Sequence, residues 1–288
     1  MGTTRFRFGC SSRMKNGGAW CKRSDSVLPW RRLDNRECGD IRPCLRTHAQ
    51  STGQIVVSVE YRLAPEHRFP TGLEDCYAAA QAMLRGEILP EVTPENVTIM
   101  GDSAGGNLAA AVCLMARDKK ELLPGKQILI YPAVNSCYTE KSPYKSVKTN
   151  GTGYLLTSVK MEDYVILYQR TEEDRKNPYF APVLAENLQG LPDTLVLTAQ
   201  YDPLRDEGED YAKKLKRLAI WLNIIGSRAH CTAILRLALN TYMCRKFSVY
   251  ECIFKERKTA EKCRRRTGKH SSSEETIDTR EGVRRHRK

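Results

Sequence analysis

Gly101-Asp102-Ser103-Ala104-Gly105-Gly106 joins a short β-type run, VTIM at residues 97–100, to a helical run that extends to Arg117. Strand, tight turn and helix in this order are typical of a G-x-S-x-G elbow, in which glycines permit a strained turn that exposes a serine hydroxyl. The free N–H groups of the helix N-terminus can stabilise an oxyanion. We therefore predict Ser103 as a nucleophile and the N–H of Ala104 as an oxyanion donor; the alternative is a glycine-rich turn without chemistry.

Three further motifs accompany this elbow, in the chain order IVVSVEYRLAPEH at residues 55–67, the elbow itself, NPYFAP at 177–182 and YDPLRDE at 201–207. Together they resemble the hormone-sensitive-lipase-like branch of the α/β-hydrolase fold, a group of serine carboxylesterases. The resemblance runs from about Thr52 to Lys216. It implies an α/β fold, a mostly parallel sheet flanked by helices and incomplete at both ends. It also implies hydrolysis of small acyl esters by a Ser–His–Asp mechanism, with no metal and no cofactor.

The order of patterns between residues 52 and 216 predicts the same architecture. Runs of β-branched and apolar residues alternate with helical ones, which indicates a parallel sheet with right-handed crossovers. The predicted strands are Ile55–Glu60, Val97–Met100, Gln127–Tyr131 and Thr194–Ala199, and helices are predicted at Leu73–Leu84, Lys160–Arg170 and Glu207–Arg217. No run before Ile55 is long enough to place a strand. Ligands bind at the carboxyl ends of such strands, where Ser103 and Asp202 both fall.

Asp202 is the candidate acid of the triad. It follows a predicted strand, and in the family that the chain resembles, the aspartate of this Asp-Pro-Leu context orients the histidine. The acid also lies between serine and histidine in the chain order of these enzymes. Asp-Pro is a common turn start, so a turn or helix-capping carboxylate is the alternative. Asp206 and Glu207 are expected in the first turn of the next helix, where negative charge is favourable.

The histidine is where the sequence departs from the family. His67 precedes Ser103 and belongs to a motif outside the triad. His230 lies 28 residues beyond Asp202, but Cys231 and Thr232 follow it instead of glycine and an aromatic residue, so we interpret it as incidental. The His-Gly-Gly-Gly loop that supplies further oxyanion donors is also missing, and the run at residues 16–20 lies too far upstream to replace it.

A shift of reading frame accounts for both absences. Residues 27–33 can be encoded, with a choice of synonymous codons, by GTT CTT CCA TGG CGG AGG CTG, and this string encodes Phe-Phe-His-Gly-Gly-Gly when it is read from the second base. Residues 229–235, as GCA CAC TGC ACG GCT ATT TTA, encode Thr-Leu-His-Gly-Tyr-Phe from the third base. Both missing elements reappear in order and near their expected places. We therefore divide the chain into an aberrant or poorly ordered segment 1–50, a hydrolase core 51–216 and an aberrant basic tail 217–288.

Charge divides the chain in the same way. Of the net charge of +13, residues 1–50 contribute 11 Lys and Arg against 4 Asp and Glu, and residues 217–288 contribute 18 against 7, which leaves the core at −5. Basicity therefore belongs to the ends, and no recognition motif accompanies it, so a specific nucleic-acid partner is the weakest interpretation. The expected partner is a small-molecule ester. A hydrolase-fold protein that binds without catalysis stays open because the base is missing.

Cysteine usage and hydropathy set the expected compartment. None of the 11 cysteines has the C-x-x-C spacing of a zinc or redox site, and we interpret them as free thiols. No stretch reaches the roughly 18 apolar residues of a membrane span, and the N-terminus has no apolar signal region. The default expectation is a cytoplasmic protein, and the sequence leaves its oligomeric state open.

Overall fold

The computed structural model describes the backbone of residues 6–9, 26–29 and 219–224, and both backbone and side chains of residues 49, 54–154 and 156–215. His230 and the run at residues 16–20 lie outside the described residues.

A twisted sheet of seven strands forms the centre of the described chain, with helices packed against it. The strands are β1 (Phe6–Gly9), β2 (Ser26–Pro29), β3 (Val56–Val59), β4 (Thr98–Asp102), β5 (Lys126–Ile130), β6 (Asp193–Ala199) and β7 (Ala219–Ile224). Their spatial order is β1-β3-β2-β4-β5-β6-β7. Only the pairing of β1 with β3 is antiparallel, and the other neighbours are parallel. The predicted fold class, an α/β fold with a mostly parallel sheet, is confirmed.

Three strands lie where the sequence predicted none: β1, β2 and β7. β1 and β2 precede Ile55, and β2 sits in the middle of the sheet between β3 and β4, with Val27 paired to Val57 on one side and to Ile99 on the other. Four residues are too few for an alternating or apolar pattern to stand out from its surroundings. The pairing of these strands is set by their neighbours, because a strand gains its hydrogen bonds only in the sheet.

Five α-helices are described over their whole length: α1 (Thr71–Leu84), α2 (Ala104–Asp118), α3 (Lys145–Thr149), α4 (Ser158–Tyr168) and α5 (Arg205–Leu215). The predicted helices within residues 73–84, 160–170 and 207–217 are confirmed, and each begins two residues earlier than expected. At α4 the reason is a cap, because the Thr157 side chain accepts a hydrogen bond from the Lys160 amide. That bond satisfies an N–H that the first turn leaves without a helical partner.

Helix α2 holds the elbow in the core. It packs against β4, β5 and α1, and its residues Ala109, Ala110, Ala111 and Cys113 are completely buried. The small alanines let the helix approach the sheet closely, and Leu129 of β5 and Leu195 of β6 are likewise fully buried. Burying one leucine contributes about 1.5–3 kcal/mol. The N-terminus of α2 is therefore a rigid point at the carboxyl edge of the sheet.

In the part of the chain that the structure describes, none of the helices combines the length and the apolar character needed to span a bilayer.

Candidate active site

Ser103 stands alone between the last residue of β4 and the first residue of α2. Its backbone is in the left-handed region, with φ 52° and ψ −118°, and its side chain makes no capping hydrogen bond to the helix. A residue with a Cβ pays of order 1–3 kcal/mol for such a conformation, so it persists only where its surroundings impose it. The conformation is that of the predicted elbow. Ser103 is half-buried, and its hydroxyl makes no hydrogen bond that caps the helix.

Three backbone hydrogen bonds impose this conformation. The Ser103 amide donates to the carbonyl oxygen of Ile130 at 2.9 Å, which ties the elbow to β5. The Ser103 carbonyl oxygen accepts from the amides of Asn107 and Ala133, both at 3.1 Å. The elbow is thus joined to its own helix and to the loop that follows β5.

The glycines beside Ser103 are required by close backbone contacts. A Cβ on Gly101 would lie 2.1 Å from the carbonyl oxygen of Gly105, and one on Gly106 would lie 3.0 Å from the Cα of Pro132. Backbone atoms cannot move aside as the end of a flexible side chain does. The chain therefore turns so tightly at Ser103 that only glycine fits at both positions.

The amide of Ala104 begins α2 and precedes the first intrahelical hydrogen bond, which Asn107 makes to Ser103. The amides in this first turn have no carbonyl a turn earlier to bond, and the positive end of the helix dipole adds to their partial charge. The first amides of α2 thus lie next to Ser103, and the role of the Ala104 N–H as an oxyanion donor stays a prediction.

Asn107 was not singled out by the sequence reasoning, although it fixes the surroundings of the elbow. Its side-chain amide donates to the carbonyl oxygens of Ala133, at 2.7 Å, and Phe180, at 2.8 Å. Asn107 is 7% exposed, and Phe180 belongs to the NPYFAP motif. The sequence did carry a signal for this role: Asn107 is a polar residue in the otherwise apolar first part of α2, and a buried side-chain amide needs hydrogen-bond partners.

Asp202 follows β6 at the same edge of the sheet at which Ser103 follows β4, with β5 between the two strands. Its side chain is completely buried, and Oδ1 accepts a hydrogen bond from the Leu204 amide at 2.9 Å. The Asn150 side chain donates to the Asp202 carbonyl oxygen at 3.2 Å. The structure thus places the two predicted catalytic residues beyond the carboxyl ends of parallel strands, where ligands bind in open α/β sheets.

Asp206 and Glu207 lie in the first turn of α5, as predicted. Asp206 Oδ2 accepts a hydrogen bond of 2.7 Å from the Ser146 amide. Glu207 is completely buried, and burial raises its pKa to about 8, although hydrogen bonds from the Tyr138 hydroxyl and from the amides of Asn135 and Val134 lower it. Neither carboxylate is a surface charge that merely complements the helix dipole.

His67 lies on an exposed turn, where its amide donates to the Leu63 carbonyl oxygen at 2.8 Å. This turn is held by Arg62, which contacts both carboxylate oxygens of Asp75 at 2.7 and 3.0 Å. Burial raises the pKa of Asp75, but its bonds to Arg62 outweigh burial and leave the pKa below its usual value. The motif around His67 therefore has a structural anchor, which agrees with its expected place outside the triad.

Comparison with known proteins points to one family. The sequence model of the alpha/beta hydrolase fold matches residues 35–220. The chain is 41% identical over 185 residues to the carboxylic ester hydrolase LipN of Mycobacterium tuberculosis. This alignment covers 61% of this chain and 48% of that protein. It is 42% identical over 161 residues to an arylesterase of Saccharolobus solfataricus, which covers 56% of this chain and 51% of that protein. The chain thus spans about half the length of these two relatives.

A solved structure gives the same indication. A hyperthermophilic esterase from the archaeon Pyrobaculum calidifontis superposes with a TM-score of 0.64 at 34% sequence identity, over 83% of this chain and 75% of that one.

Proposed function

This chain belongs to the α/β-hydrolase fold family, and from that membership we propose that it carries the nucleophile and the acid of a serine carboxylic-ester hydrolase of the hormone-sensitive-lipase-like branch. The observation that carries the proposal is the left-handed backbone of Ser103 at a strand-to-helix junction. Small acyl esters are the proposed substrates, and the cytoplasm is the proposed site of action. The named activities of the similar esterases support the same reaction class.

In the proposed acylation step, the Ser103 hydroxyl oxygen attacks the ester carbonyl carbon while a base removes its proton. The carbonyl oxygen takes the displaced electron pair and faces the N–H of Ala104 at the start of α2. Collapse of this tetrahedral intermediate breaks the bond to the alkoxy oxygen, which leaves as the alcohol with the proton from the base. Ser103 then carries the acyl group.

In the deacylation step, water loses a proton to the same base and attacks the acyl-serine carbonyl. The intermediate collapses to the carboxylic acid, and the proton returns to Ser103. The proposed role of Asp202 is to orient the base and stabilise its charged form. Complete burial of Asp202 supports that role, since a charge-charge interaction is strongest where water is excluded.

We propose that the activity of this chain is impaired, because its sequence has no histidine in the family's context after Asp202. Among the described residues His67 is the one histidine, and it lies on an exposed turn. His230 lies outside the described residues. Members of a catalytic triad act as a unit, so loss of the base alone costs on the order of 10⁶ in turnover.

We further propose that segments 1–50 and 217–288 are translated out of frame and flank a hydrolase core, 51–216. Two strand positions support this. β2 ends at Pro29, parallel to β4, and the re-read His-Gly-Gly-Gly begins in the codon of Pro29, at the edge of the sheet where Ser103 lies. β7 ends at Ile224 beside β6, which leads to Asp202, and the re-read histidine spans codons 231 and 232 shortly beyond it.

The test compares the chain as given with a version restored to the inferred frames, on a short-chain chromogenic ester, with Ser103→Ala of each as a blank. We expect little or no hydrolysis by the first and Ser103-dependent hydrolysis by the second. Strong Ser103-dependent activity of the chain as given would refute the displaced-frame account. Absence of Ser103-dependent hydrolysis by the restored version would refute the esterase assignment.

The absence of a histidine in the family's sequence context after Asp202 favours one alternative, a hydrolase-fold protein that binds an ester without hydrolysing it. Saturable binding of an ester by the chain as given, unaltered by Ser103→Ala and without any release of alcohol by the restored version, would support that alternative.

A further inference from the structure

We infer that Glu207 is a positioning residue that couples the helix beginning beside Asp202 to the loop that holds the Ser103 elbow. This inference rests on the proposed function, because it concerns the alignment of the same two candidate catalytic residues. It starts from a completely buried carboxyl group for which the proposed reaction has no direct use.

The contacts of Glu207 converge on one of its two oxygens. Oε1 accepts hydrogen bonds from the Val134 amide at 2.8 Å, the Asn135 amide at 3.2 Å and the Tyr138 hydroxyl at 2.8 Å. Oε2 is buried and has no hydrogen-bond partner among the described residues. One carboxylate oxygen of α5 therefore accepts hydrogen bonds from three donors of a single loop, residues 134–138.

This loop continues directly into the support of the elbow. The residue before Val134 is Ala133, whose amide donates to the Ser103 carbonyl oxygen at 3.1 Å and whose own carbonyl oxygen accepts from Asn107 at 2.7 Å. A displacement of Val134 must pass to Ala133 through one peptide unit, and from there to both Ser103 and Asn107.

The other end of the link leads to Asp202. The Leu204 amide donates to Asp202 Oδ1, and the Arg205 amide donates to the Asp202 carbonyl oxygen at 3.2 Å. Arg205 is the first residue of α5, and the Gly208 amide bonds the Leu204 carbonyl oxygen in the same turn. Glu207 thus lies in the first turn of α5, and the residues that begin this turn bond Asp202. Through its contacts with the loop 134–138, Glu207 sets the distance between this turn and the elbow.

The chain offers a matched control on the same helix. Asp210 Oδ2 also accepts a hydrogen bond from a tyrosine, the Tyr144 hydroxyl at 2.9 Å, but its partner does not belong to the loop that bonds Ser103. Asp210→Asn therefore disturbs a carboxylate–tyrosine contact of the same kind without touching the elbow.

The experiment uses the full chain and two measurements. Hydrogen exchange by mass spectrometry follows peptides that contain residues 103–107 and 133–138. Acetylation of Ser103 by p-nitrophenyl acetate, followed over hours by peptide mapping against a Ser103→Ala blank, detects a single slow acyl transfer. The variants are Glu207→Gln, Glu207→Leu, Tyr138→Phe and Asp210→Asn.

With Glu207→Leu we expect faster exchange in both segments and Ser103 acetylation slowed by about tenfold to a hundredfold, the effect of misplacing a reacting group. Glu207→Gln keeps an oxygen acceptor for the three donors, so its acetylation should stay within about twofold of the wild type, as should that of Asp210→Asn. If Glu207→Leu does not fold, Tyr138→Phe removes one of the three donors and should slow acetylation by about fivefold, the equivalent of one hydrogen bond.

Two outcomes would overturn the inference: exchange that increases only in residues 134–138 while Ser103 keeps its exchange and acetylation rates, or a Glu207→Gln variant as impaired as Glu207→Leu. Absence of Ser103 acetylation in the wild type is a different result. It agrees with the proposed impairment of this chain, and the spread of exchange from residue 134 to residue 103 then decides whether the coupling exists; the proposed function is tested separately, by Ser103-dependent hydrolysis in the frame-restored version.

Discussion

Asn107 and Ala133 are joined by a hydrogen bond of 2.7 Å from side-chain amide to carbonyl oxygen, which links the first turn of α2 to the loop after β5. The same amide group reaches the Phe180 carbonyl oxygen. One side chain therefore satisfies two carbonyl groups from separate segments around the elbow. Because that amide group is the partner of both carbonyls, its loss leaves a buried acceptor at Phe180 and a partly buried one at Ala133 without that partner.

We predict that Asn107→Leu lowers the free energy of unfolding by about 2–5 kcal/mol, since each unsatisfied buried acceptor costs about 1–3 kcal/mol. Asn96→Ala is the control, because the Asn96 side chain donates to the exposed Thr93 hydroxyl, at 3.1 Å. It should change stability by less than about 0.5 kcal/mol. Urea unfolding of both variants measures the difference, and equal effects would contradict the role given to Asn107.

The tight turn at Ser103 gives a second prediction. Gly101→Ala places a Cβ 2.1 Å from the Gly105 carbonyl oxygen, so backbone must move and the free energy of unfolding should fall by about 3 kcal/mol or more. Gly190→Ala is the control: Gly190 has φ +77°, but its Cβ would meet only the Arg117 side chain, at 3.7 Å. Its expected cost is about 1–2 kcal/mol, from the left-handed backbone alone. A Gly101→Ala variant as stable as Gly190→Ala would mean that the elbow is looser than the structure has it.

The buried carboxyl of Glu207 predicts a pH dependence of stability. Its pKa in the folded chain, about 8, is higher than the 4.5 of an exposed glutamate, so between these values the folded chain binds the proton that the unfolded chain has lost. The free energy of unfolding therefore falls as the pH rises from about 4.5 through about 8. Glu207→Gln cannot ionise and should flatten this decline in urea titrations at pH 5.5, 7 and 8.5.

Asp210→Asn is the control for this titration, since Asp210 lies one turn further along α5 and contacts Tyr144 instead. It should keep the decline of the wild type. A Glu207→Gln variant with an unchanged slope would assign the pH dependence to other groups.

Local patterns were enough to predict much of the sheet and the place of the candidate site. β4, β5 and β6 are buried on both faces, so their apolar runs stand out, and a glycine-flanked serine between a strand and a helix has one common geometry. Ser103, Ala104 and Asp202 could be placed at the sheet edge for that reason, while their catalytic roles stay predictions.

What the sequence did not reveal depends on contacts distant in the chain. Asn107 bonds Phe180 across 73 residues, and Glu207 bonds Val134 across 73 residues. No periodicity reports such partners, because a buried polar residue looks the same in the sequence whether it is satisfied or not. β2 was missed for a related reason: its four residues become a central strand only through β3 and β4, which lie later in the chain.

A last prediction distinguishes the two aspartates of the YDPLRDE motif, and it is made for the frame-restored version, in which turnover is measurable. Asp202 is completely buried and bonds its own loop, whereas Asp206 bonds the Ser146 amide and the side chain of Arg205, away from the elbow. If Asp202 orients the base, Asp202→Asn should lower kcat by about 10⁴-fold, the loss seen when a triad aspartate becomes an amide. Asp206→Asn should change kcat by less than about tenfold, because it weakens only the charge-assisted contacts to the Ser146 amide and the Arg205 side chain. Steady-state kinetics on a short-chain ester, with circular dichroism to show that both variants fold, measures the two effects. A larger loss for Asp206→Asn would move the role of the acid from Asp202 to Asp206.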